Sequence, residues 1–246
     1  INFLIDIIFL NLLRTKFMEP TNFINPSIEL FGILIQEPVT TVTDFVVTII
    51  SLYAFYRIRK HPVKNRVVSF FKWYFLLMGI ATFSGGVFGH AFLYYFNEYW
   101  KIPGWYISMV AIMLVERSAI IYAKNLISAS LSRVFLFINA VELITIMILS
   151  AYYLSFKFVE FHCVYGFLVV VFSFHLFIYI KTKNSASKVI LWGVGVLATA
   201  MFVFNYPIII DKWFNHKDFA HTIMAISSII FLHGALLLEE PPKENG

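Results

Sequence analysis

The feature that most constrains this chain is a series of seven long apolar runs, separated by charged residues or by Pro and Gly. The runs lie at about 38–58, 67–96, 103–124, 132–154, 160–180, 188–209 and 218–238. A helix of about twenty mostly apolar residues is long enough to cross a bilayer. The sequence therefore predicts an all-α fold, an integral membrane bundle of seven helices joined by short connections.

Composition supports a membrane protein and excludes several other classes. Hydrophobic residues make up 60% of the chain and charged residues only 13%, whereas soluble domains carry about 25% charged residues. The single cysteine, Cys163, excludes an intramolecular disulfide framework and a Cys-rich metal site. We find no Gly-rich phosphate loop and no G-x-S-x-G nucleophile elbow. The net charge of +5 is interpreted as a signal for membrane orientation, and we expect no nucleic-acid partner.

Lys and Arg predict the orientation of the bundle, because cytoplasmic loops carry an excess of both. The loops after the first, third and fifth runs, with the adjoining helix ends, hold eleven: Arg57, Arg59, Lys60, Lys64, Arg66, Lys72, Lys124, Arg133, Lys181, Lys183 and Lys188. The loops after the second, fourth and sixth runs hold four: Lys101, Lys157, Lys212 and Lys217. We therefore expect the N-terminus outside, the C-terminus in the cytoplasm, and a multi-pass protein of the cell (plasma or inner) membrane.

The runs divide the chain into four segments. Residues 1–17 contain an apolar stretch of about thirteen residues, which is too short to span a bilayer; one interpretation is upstream or non-native sequence ahead of Met18. Residues 18–36, with two Pro followed by "IELFGILI", are typical of an interfacial N-terminal segment. Residues 37–240 are the predicted seven-helix transmembrane domain, and residues 241–246 are a cytoplasmic tail.

Ionisable residues gather at the predicted outer ends of three helices. Glu37 and Asp44 stand seven residues apart at the start of the first helix, so they share one helix face. His90 lies near the end of the second helix. The heptapeptide "NHKDFAH" opens the seventh helix with Asp218 and His221, whose spacing of three lets both point inward. Because charged groups in a bilayer usually face a bundle interior or an aqueous cavity, we expect these five side chains to meet.

The set has two interpretations. In the first, two imidazoles with nearby carboxylates bind zinc and leave a coordination position for a catalytic water. His162, at the outer start of the fifth helix, is an additional candidate ligand. The alternative is that each residue is hydrated at the headgroup level. Two further carboxylates lie within helices, Glu116 beside Arg117 and Glu142 near Asn139. Structural hydrogen bonding, or a proton or ion path, would explain those two.

The same residues carry a resemblance to a known superfamily. The stretch "EPVTTVTD" at 37–44 is similar to the Glu and Thr-x-Ser-Asn pattern that begins the first helix of the alkaline ceramidases. The stretch "GVFGHAFL" at 86–93 keeps their second-helix His as His90, and "KDFAH" keeps one His of a seventh-helix His-x-x-x-His pair as His221. The chain thus resembles the seven-transmembrane hydrolase superfamily of alkaline ceramidases and adiponectin-receptor-like proteins, as a divergent member.

The resemblance implies a zinc hydrolase fold in which His90 and His221 are metal ligands. The chain departs from the family at two positions, because the second-helix Ser falls on Gly86 and the first seventh-helix His falls on Lys217. Asp218 could supply a third ligand if its helix begins with a shifted phase.

We therefore expect a metal-dependent (zinc) membrane hydrolase acting on an amide or ester bond of a lipid-like substrate near the outer leaflet. Its partners would be membrane lipids and that substrate. The expected metal ligands are His90, Asp218 and His221. Glu37 or Asp44 would orient a ligand or accept a proton.

The alternative hypothesis is a non-catalytic seven-helix protein of the same architecture, a lipid-binding sensor or receptor. Gly86 and Lys217 favour this alternative, because neither can serve as the family residue it replaces. A transporter would use Glu116 and Glu142, but its usual repeats and broken helices are not evident in the sequence. A retinal pigment would need a buried Lys within the seventh helix. The run at 218–238 contains no Lys, and Lys217 directly precedes it.

Overall fold

The computed structural model describes residues 26–63, 65–206 and 211–242. Within these ranges, seven helices are long and apolar enough to cross a membrane. They are α1 (Pro38–Lys60), α2 (Arg66–Ala91), α3 (Glu98–Tyr122), α4 (Ala129–Tyr152), α5 (Lys157–Thr182), α6 (Ser185–Asn205) and α7 (His216–Leu236). The predicted all-α membrane bundle of seven helices is confirmed. The interpretation of residues 1–17, and parts of those for 18–36 and 241–246, fall outside the described residues.

Polar caps determine where several helices begin. The side chains of Asn65, Ser128, Asn184 and Asn215 each accept a hydrogen bond from a backbone N–H in the first turn of α2, α4, α6 and α7. The first backbone N–H groups of a helix have no partner within the helix, so a side-chain oxygen there satisfies one of them. These caps place the helix starts within three residues of the predicted positions.

Two helices change to π-helical geometry along their length. Gly85–Ala91 forms the last part of α2, and Tyr165–Val171 forms the middle of α5. A π-helix bonds each N–H five residues back, which widens the turn, and such segments are frequent at functional sites. The sequence predicted that α2 continues to residue 96, but it ends at Ala91. Phe92 leaves the helix at φ −123° and ψ 35°, with its N–H bonded to the carbonyl of Val87.

A short hairpin precedes α1. Strands β1 (Ser27–Leu30) and β2 (Ile33–Gln36) pair antiparallel, and the turn between them uses positive φ at Phe31 (52°) and Gly32 (77°). Positive φ at both central residues matches the right-handed twist of a tight hairpin. The strands were not predicted. Most of their apolar side chains are exposed, and the placement of this segment at the membrane interface stays a prediction.

The helices close into a ring. Each packs against its neighbours in the chain, and α7 also packs against α1. Helix α3 additionally contacts α5, and its fully buried face includes Met109, Ala111 and Ala119. Helix α4 packs mainly against α3 and α5 and has the smallest buried share of the seven. Polar groups on α3, α4 and α5 can therefore meet inside the bundle.

The two ends of the bundle differ in charge. Near the end that carries most Lys and Arg, Asn65 donates to the carbonyl of Glu239 at 2.8 Å and Asn125 donates to that of Pro241 at 2.9 Å. These bonds attach the chain after α7 to the loops that follow α1 and α3. The start of α1, the end of α2 and the start of α7 therefore share the opposite end.

Candidate functional site

Six ionisable side chains from the starts of α1 and α7 and the end of α2 come together at that opposite end. We call them the end cluster: Glu37, Asp44, His90, Lys217, Asp218 and His221. All five side chains that the sequence singled out are in this cluster. Most of its members are buried or nearly so, and three elements that are distant in the chain supply them.

Glu37 reaches the cluster from an unusual backbone conformation. It precedes Pro38 with φ 41° and ψ 54°, in the left-handed region, and its N–H donates to the carbonyl of Pro26 at 3.1 Å. Left-handed geometry costs a non-Gly residue roughly 1–2 kcal/mol, and such strain is common at functional sites. Glu37 is therefore the N-cap residue of α1 and lies outside its regular helical backbone. Its approach to the cluster does not follow from the helical phase that the sequence suggested.

His90 lies in the π-helical part of α2 and faces two carboxylates. Its Nδ1 is 2.5 Å from Oε2 of Glu37, and its Nε2 is 3.7 Å from Oδ2 of Asp44. The close approach of α1 and α2 depends on Gly86 and not on Gly85, because a Cβ added at Gly85 would be in ordinary contact, 3.4 Å from Oδ2 of Asp44. At Gly86 a Cβ would lie 2.9 Å from Cε1 of Phe45. The phenyl ring of Phe45 thus fills the space that a side chain at position 86 would need.

His221 faces the same Asp44 from α7. Its Nδ1 is 3.7 Å from Oδ1 of Asp44 and 3.2 Å from Oγ1 of Thr43. The centres of the His90 and His221 rings are 6.1 Å apart. Two imidazoles bound to one zinc ion at about 2 Å would have ring centres roughly 5–6 Å apart. The two rings are thus close to a separation at which one ion could join them.

The hydrogen bonds of the two rings favour one tautomer of each. The Glu37 carboxylate can only accept, so Nδ1–H of His90 donates to it. The Thr43 hydroxyl donates to the carbonyl of Thr40 at 2.9 Å, so it accepts from Nδ1–H of His221. Both neutral rings then present an Nε2 lone pair. Metal-binding histidines are commonly held in this way, with the second ring nitrogen donating to a carboxylate or another acceptor.

Asp218 has a structural role that was not predicted from the sequence. Its Oδ2 accepts from the backbone N–H of Asn215 at 2.7 Å, while Oδ1 of Asn215 accepts from the N–H of Lys217 at 2.8 Å. This reciprocal pair is a capping box at the start of α7. The signal was present in the sequence as Asn followed three residues later by Asp. The second oxygen of Asp218, Oδ1, is buried and has no hydrogen-bond partner among the described residues.

Lys217 adds a positive charge to the cluster. Its Nζ is 3.4 Å from Oε1 of Glu37, and a quarter of its side chain is exposed. Burial alone would raise the pKa of Glu37, but the hydrogen bond from His90 and the charge of Lys217 outweigh burial and lower it. Glu37 is therefore held as a carboxylate that bridges an imidazole and an ammonium group.

The three predicted zinc ligands do not form a complete metal site in this conformation. Over the described ranges, only one set of three His, Cys, Asp or Glu side chains brings ligand atoms within 4.8 Å of one another, and it lies elsewhere. The ring centres of His90 and His221, 6.1 Å apart, are slightly farther apart than a shared zinc ion requires. Asp44 lies 3.7 Å from a nitrogen of each ring, whereas Asp218 caps its own helix. The assignment of His90, Asp218 and His221 to zinc stays a prediction.

The described side chains whose ligand atoms do lie within 4.8 Å of one another are between α3, α4 and α5. We call this group, with the asparagine bonded to it, the buried cluster: Glu116, Asn139, Glu142 and His162. Each residue stands out in the sequence, but Glu116 and Glu142 were not expected to meet His162. The available signal was an ionisable residue in each of three consecutive helices. Their meeting depends on helix rotation and depth, which the sequence pattern does not fix.

Comparison with known proteins identifies a family without assigning an activity. A model of a family of unknown function, DUF6962, matches residues 39–240, which is most of the chain and covers all seven helices. No curated protein and no solved structure gives a significant match. The matched range contains both clusters except Glu37. The chain therefore belongs to DUF6962, a family of unknown function.

Proposed function

We propose that the protein is a membrane hydrolase with the end cluster as its active centre, cleaving an amide or ester bond of a lipid-like substrate. The observation that carries the proposal is that Asp44 lies 3.7 Å from a ring nitrogen of both His90 and His221. Hydrolysis of such a bond needs a group that activates water and a group that polarises the carbonyl. Two oriented imidazoles around one carboxylate are suited to both tasks.

Zinc is the cofactor we propose for this centre, with His90 and His221 as ligands and Asp44 or Asp218 as the third. Zinc bound there would lower the pKa of a coordinated water to about 7 and polarise a substrate carbonyl. Glu37 orients the ring of His90, and Thr43 orients that of His221. The ring of His221 meets Asp44 through Nδ1, whereas Nε2 would be its zinc-binding nitrogen, so the ligand set would be completed only after side-chain rearrangement.

The likeness of three sequence stretches to alkaline ceramidases supports a lipid amide as the substrate class. The cluster also lies at the end of the bundle opposite most of the Lys and Arg residues. By the charge rule for membrane proteins, we propose that this end faces outward from a plasma or inner membrane. A substrate in the outer leaflet could then reach the cluster laterally.

The proposal is tested by metal content and turnover of the purified protein. His221→Ala should lose about one equivalent of zinc and the release of fatty acid from ceramide or phospholipid in mixed micelles. The matched control is His233→Ala, since His233 is on the same helix but exposed and remote from the cluster. Equal zinc content and equal turnover in the two variants would contradict the assignment of this centre.

A non-catalytic, lipid-binding protein is the second candidate. The Lys217–Glu37 ion pair favours it, because an ammonium group beside the two imidazoles repels a metal ion. This candidate predicts a copurified lipid, no zinc at His221 and no turnover. It also predicts that Lys217→His, which restores a family ligand, raises zinc affinity above that of the wild type. The hydrolase proposal instead requires the wild type to bind zinc already.

A further inference from the structure

The buried cluster has the geometry of an ion site that is separate from the end cluster. Glu116 of α3, Glu142 of α4 and His162 of α5 each supply one ligand atom, and these atoms lie within 4.8 Å of one another. Glu116 and His162 are fully buried, and the Glu142 side chain is 14% exposed. Glu142 lies near the middle of α4, where an uncompensated charge in a bilayer is costly.

Both ring nitrogens of His162 face acceptor oxygens, Nε2 that of Met109 and Nδ1 those of Glu142. Its Nε2 is 3.0 Å from the carbonyl of Met109, which can only accept, so Nε2 carries the hydrogen. Oxygens Oε1 and Oε2 of Glu142 face Nδ1 at 2.8 and 2.9 Å. Because a carboxylate can only accept, Nδ1 either donates a second proton to Glu142 or shares a cation with it. A metal ion bound here would take the place of that proton.

Glu116 provides an independent sign of a missing partner. Its Oε2 accepts from Nδ2 of Asn139 at 2.6 Å, but its Oε1 is buried with no hydrogen-bond partner in the described part of the chain. A buried carboxylate oxygen without a partner is costly. The nearby cation does not supply one, because the Arg117 guanidinium donates instead to Oδ1 of Asn139 and to the carbonyl of Leu136.

The helix backbone is shaped around this carboxylate. Gly166, the second residue of the π-helical segment of α5, has no Cβ, and one placed there would lie 2.6 Å from Oε1 of Glu116. The π-helical segment therefore begins one residue before α5 contacts Glu116. Such segments are frequent at functional sites, which agrees with the grouping of these side chains.

We propose that Glu116, Glu142 and His162 bind one divalent transition-metal ion, Zn²⁺ or Mn²⁺, between α3, α4 and α5. Mixed carboxylate and imidazole ligands suit these ions. The ion would balance two carboxylates and give Oε1 of Glu116 a partner. It would also join α4, which has the least buried surface, to the two helices that hold it in the bundle. The site does not depend on the proposed hydrolase activity.

The test uses the full-length protein in detergent with His221→Ala, which removes a proposed ligand of the end cluster. After treatment with a chelator, this protein should bind about one equivalent of Zn²⁺ or Mn²⁺ and melt at a higher temperature when metal is added. Adding Glu142→Gln or Glu116→Gln should weaken binding at least about tenfold. The matched control is Glu160→Gln, which removes an acid of α5 that pairs with Lys157 outside the cluster.

Two outcomes would overturn the site. One is that the His221→Ala protein binds neither metal, in which case the three residues form only a hydrogen-bonded cluster. The other is that Glu142→Gln binds metal as tightly as Glu160→Gln does. If the Gln variants fail to fold, X-ray absorption spectroscopy of the metal-loaded His221→Ala protein identifies the ligand atoms instead. One imidazole nitrogen with carboxylate oxygens supports the site, and any other ligand set contradicts it.

Discussion

Gly166→Ala offers the most direct test of the packing around the buried cluster. A Cβ at this position would lie 2.5 Å from Cγ2 of Ile112, 2.6 Å from Oε1 of Glu116 and 3.3 Å from its Cδ. Neither neighbour can swing into open space, because Ile112 is 97% buried and Glu116 is fully buried and bonded to Asn139. The added methyl group must therefore displace the carboxylate, the isoleucine or the helix backbone.

The expected loss of stability follows from these contacts. Overpacking a buried site costs about 1–3 kcal/mol, and disturbing a hydrogen bond to a charged group costs about 1.5–3 kcal/mol. The greater helix propensity of Ala returns up to about 1 kcal/mol. We expect a net loss of about 1.5–5 kcal/mol, which corresponds to a melting temperature roughly 3–20 °C lower for a chain of this size.

The assay is thermal unfolding of the purified protein in detergent, followed by far-UV circular dichroism. Gly195→Ala is the control, since a Cβ at Gly195 of α6 would meet nothing within 4 Å. That variant should melt within a few degrees of the wild type. If Gly166→Ala melts no lower than Gly195→Ala, the carboxylate is not confined as described, and the reasoning fails.

A second substitution isolates the cause. Ile112→Ala removes the Cγ2 atom that the new methyl group would strike, and by itself should cost about 2–5 kcal/mol. The double variant Ile112→Ala/Gly166→Ala should be much more stable than the sum of the two losses predicts, because the methyl group enters the space that is vacated. Additive losses would show that the Glu116 carboxylate, and not Ile112, is the obstacle.

Three further substitutions test the two clusters. Glu37→Gln should cost roughly 1–3 kcal/mol at pH 7. Because folding lowers the pKa of Glu37 from 4.5, this loss should persist above pH 4.5 and shrink below it, where the wild type loses its own carboxylate charge. Unfolding midpoints measured between pH 3 and 8 check this, and a loss of stability that does not depend on pH contradicts it. Asn139→Ala should cost about 3 kcal/mol or more, because Glu116 loses its donor inside the bundle; a change under about 1 kcal/mol in thermal unfolding would contradict this. Gly86→Ser should cost about 1–3 kcal/mol through its clash with Phe45. Phe45→Leu in the same protein should recover most of that loss, and no recovery would show that the ring is not the obstacle.

The two π-helical segments coincide with the two polar clusters. His90 lies within Gly85–Ala91, and His162 lies three residues before Tyr165–Val171. In each segment a glycine lies beside a carboxylate of another helix, Gly85 beside Asp44 and Gly166 beside Glu116, and a Cβ at Gly166 would clash with that carboxylate. A widened turn rotates the side chains that follow it relative to a regular helix. Extrapolation of regular helical phase through residues 85–91 or 165–171 therefore fails.

The amino-acid sequence by itself determined the class of fold. Seven runs long enough to span a bilayer, in a chain with 13% charged residues, leave few alternatives to a helical bundle, because backbone polar groups in lipid must be satisfied within each segment. The polar ends of three of these runs also identified Glu37, Asp44, His90 and His221 as neighbours. An even number of crossings separates these ends, so connectivity alone brings them to the same side.

Only the tertiary structure decided how those side chains are used. The sequence assigned Asp218 to zinc, but the start of α7 uses one of its oxygens as a cap. It treated Glu116 and Glu142 as separate from His162, whereas packing of α3, α4 and α5 joins them. Helix number and order follow from local hydrophobicity, which each run carries in its own residues. Contacts between side chains of different helices depend on rotation, depth and π-helical turns, which are set by packing across the whole bundle.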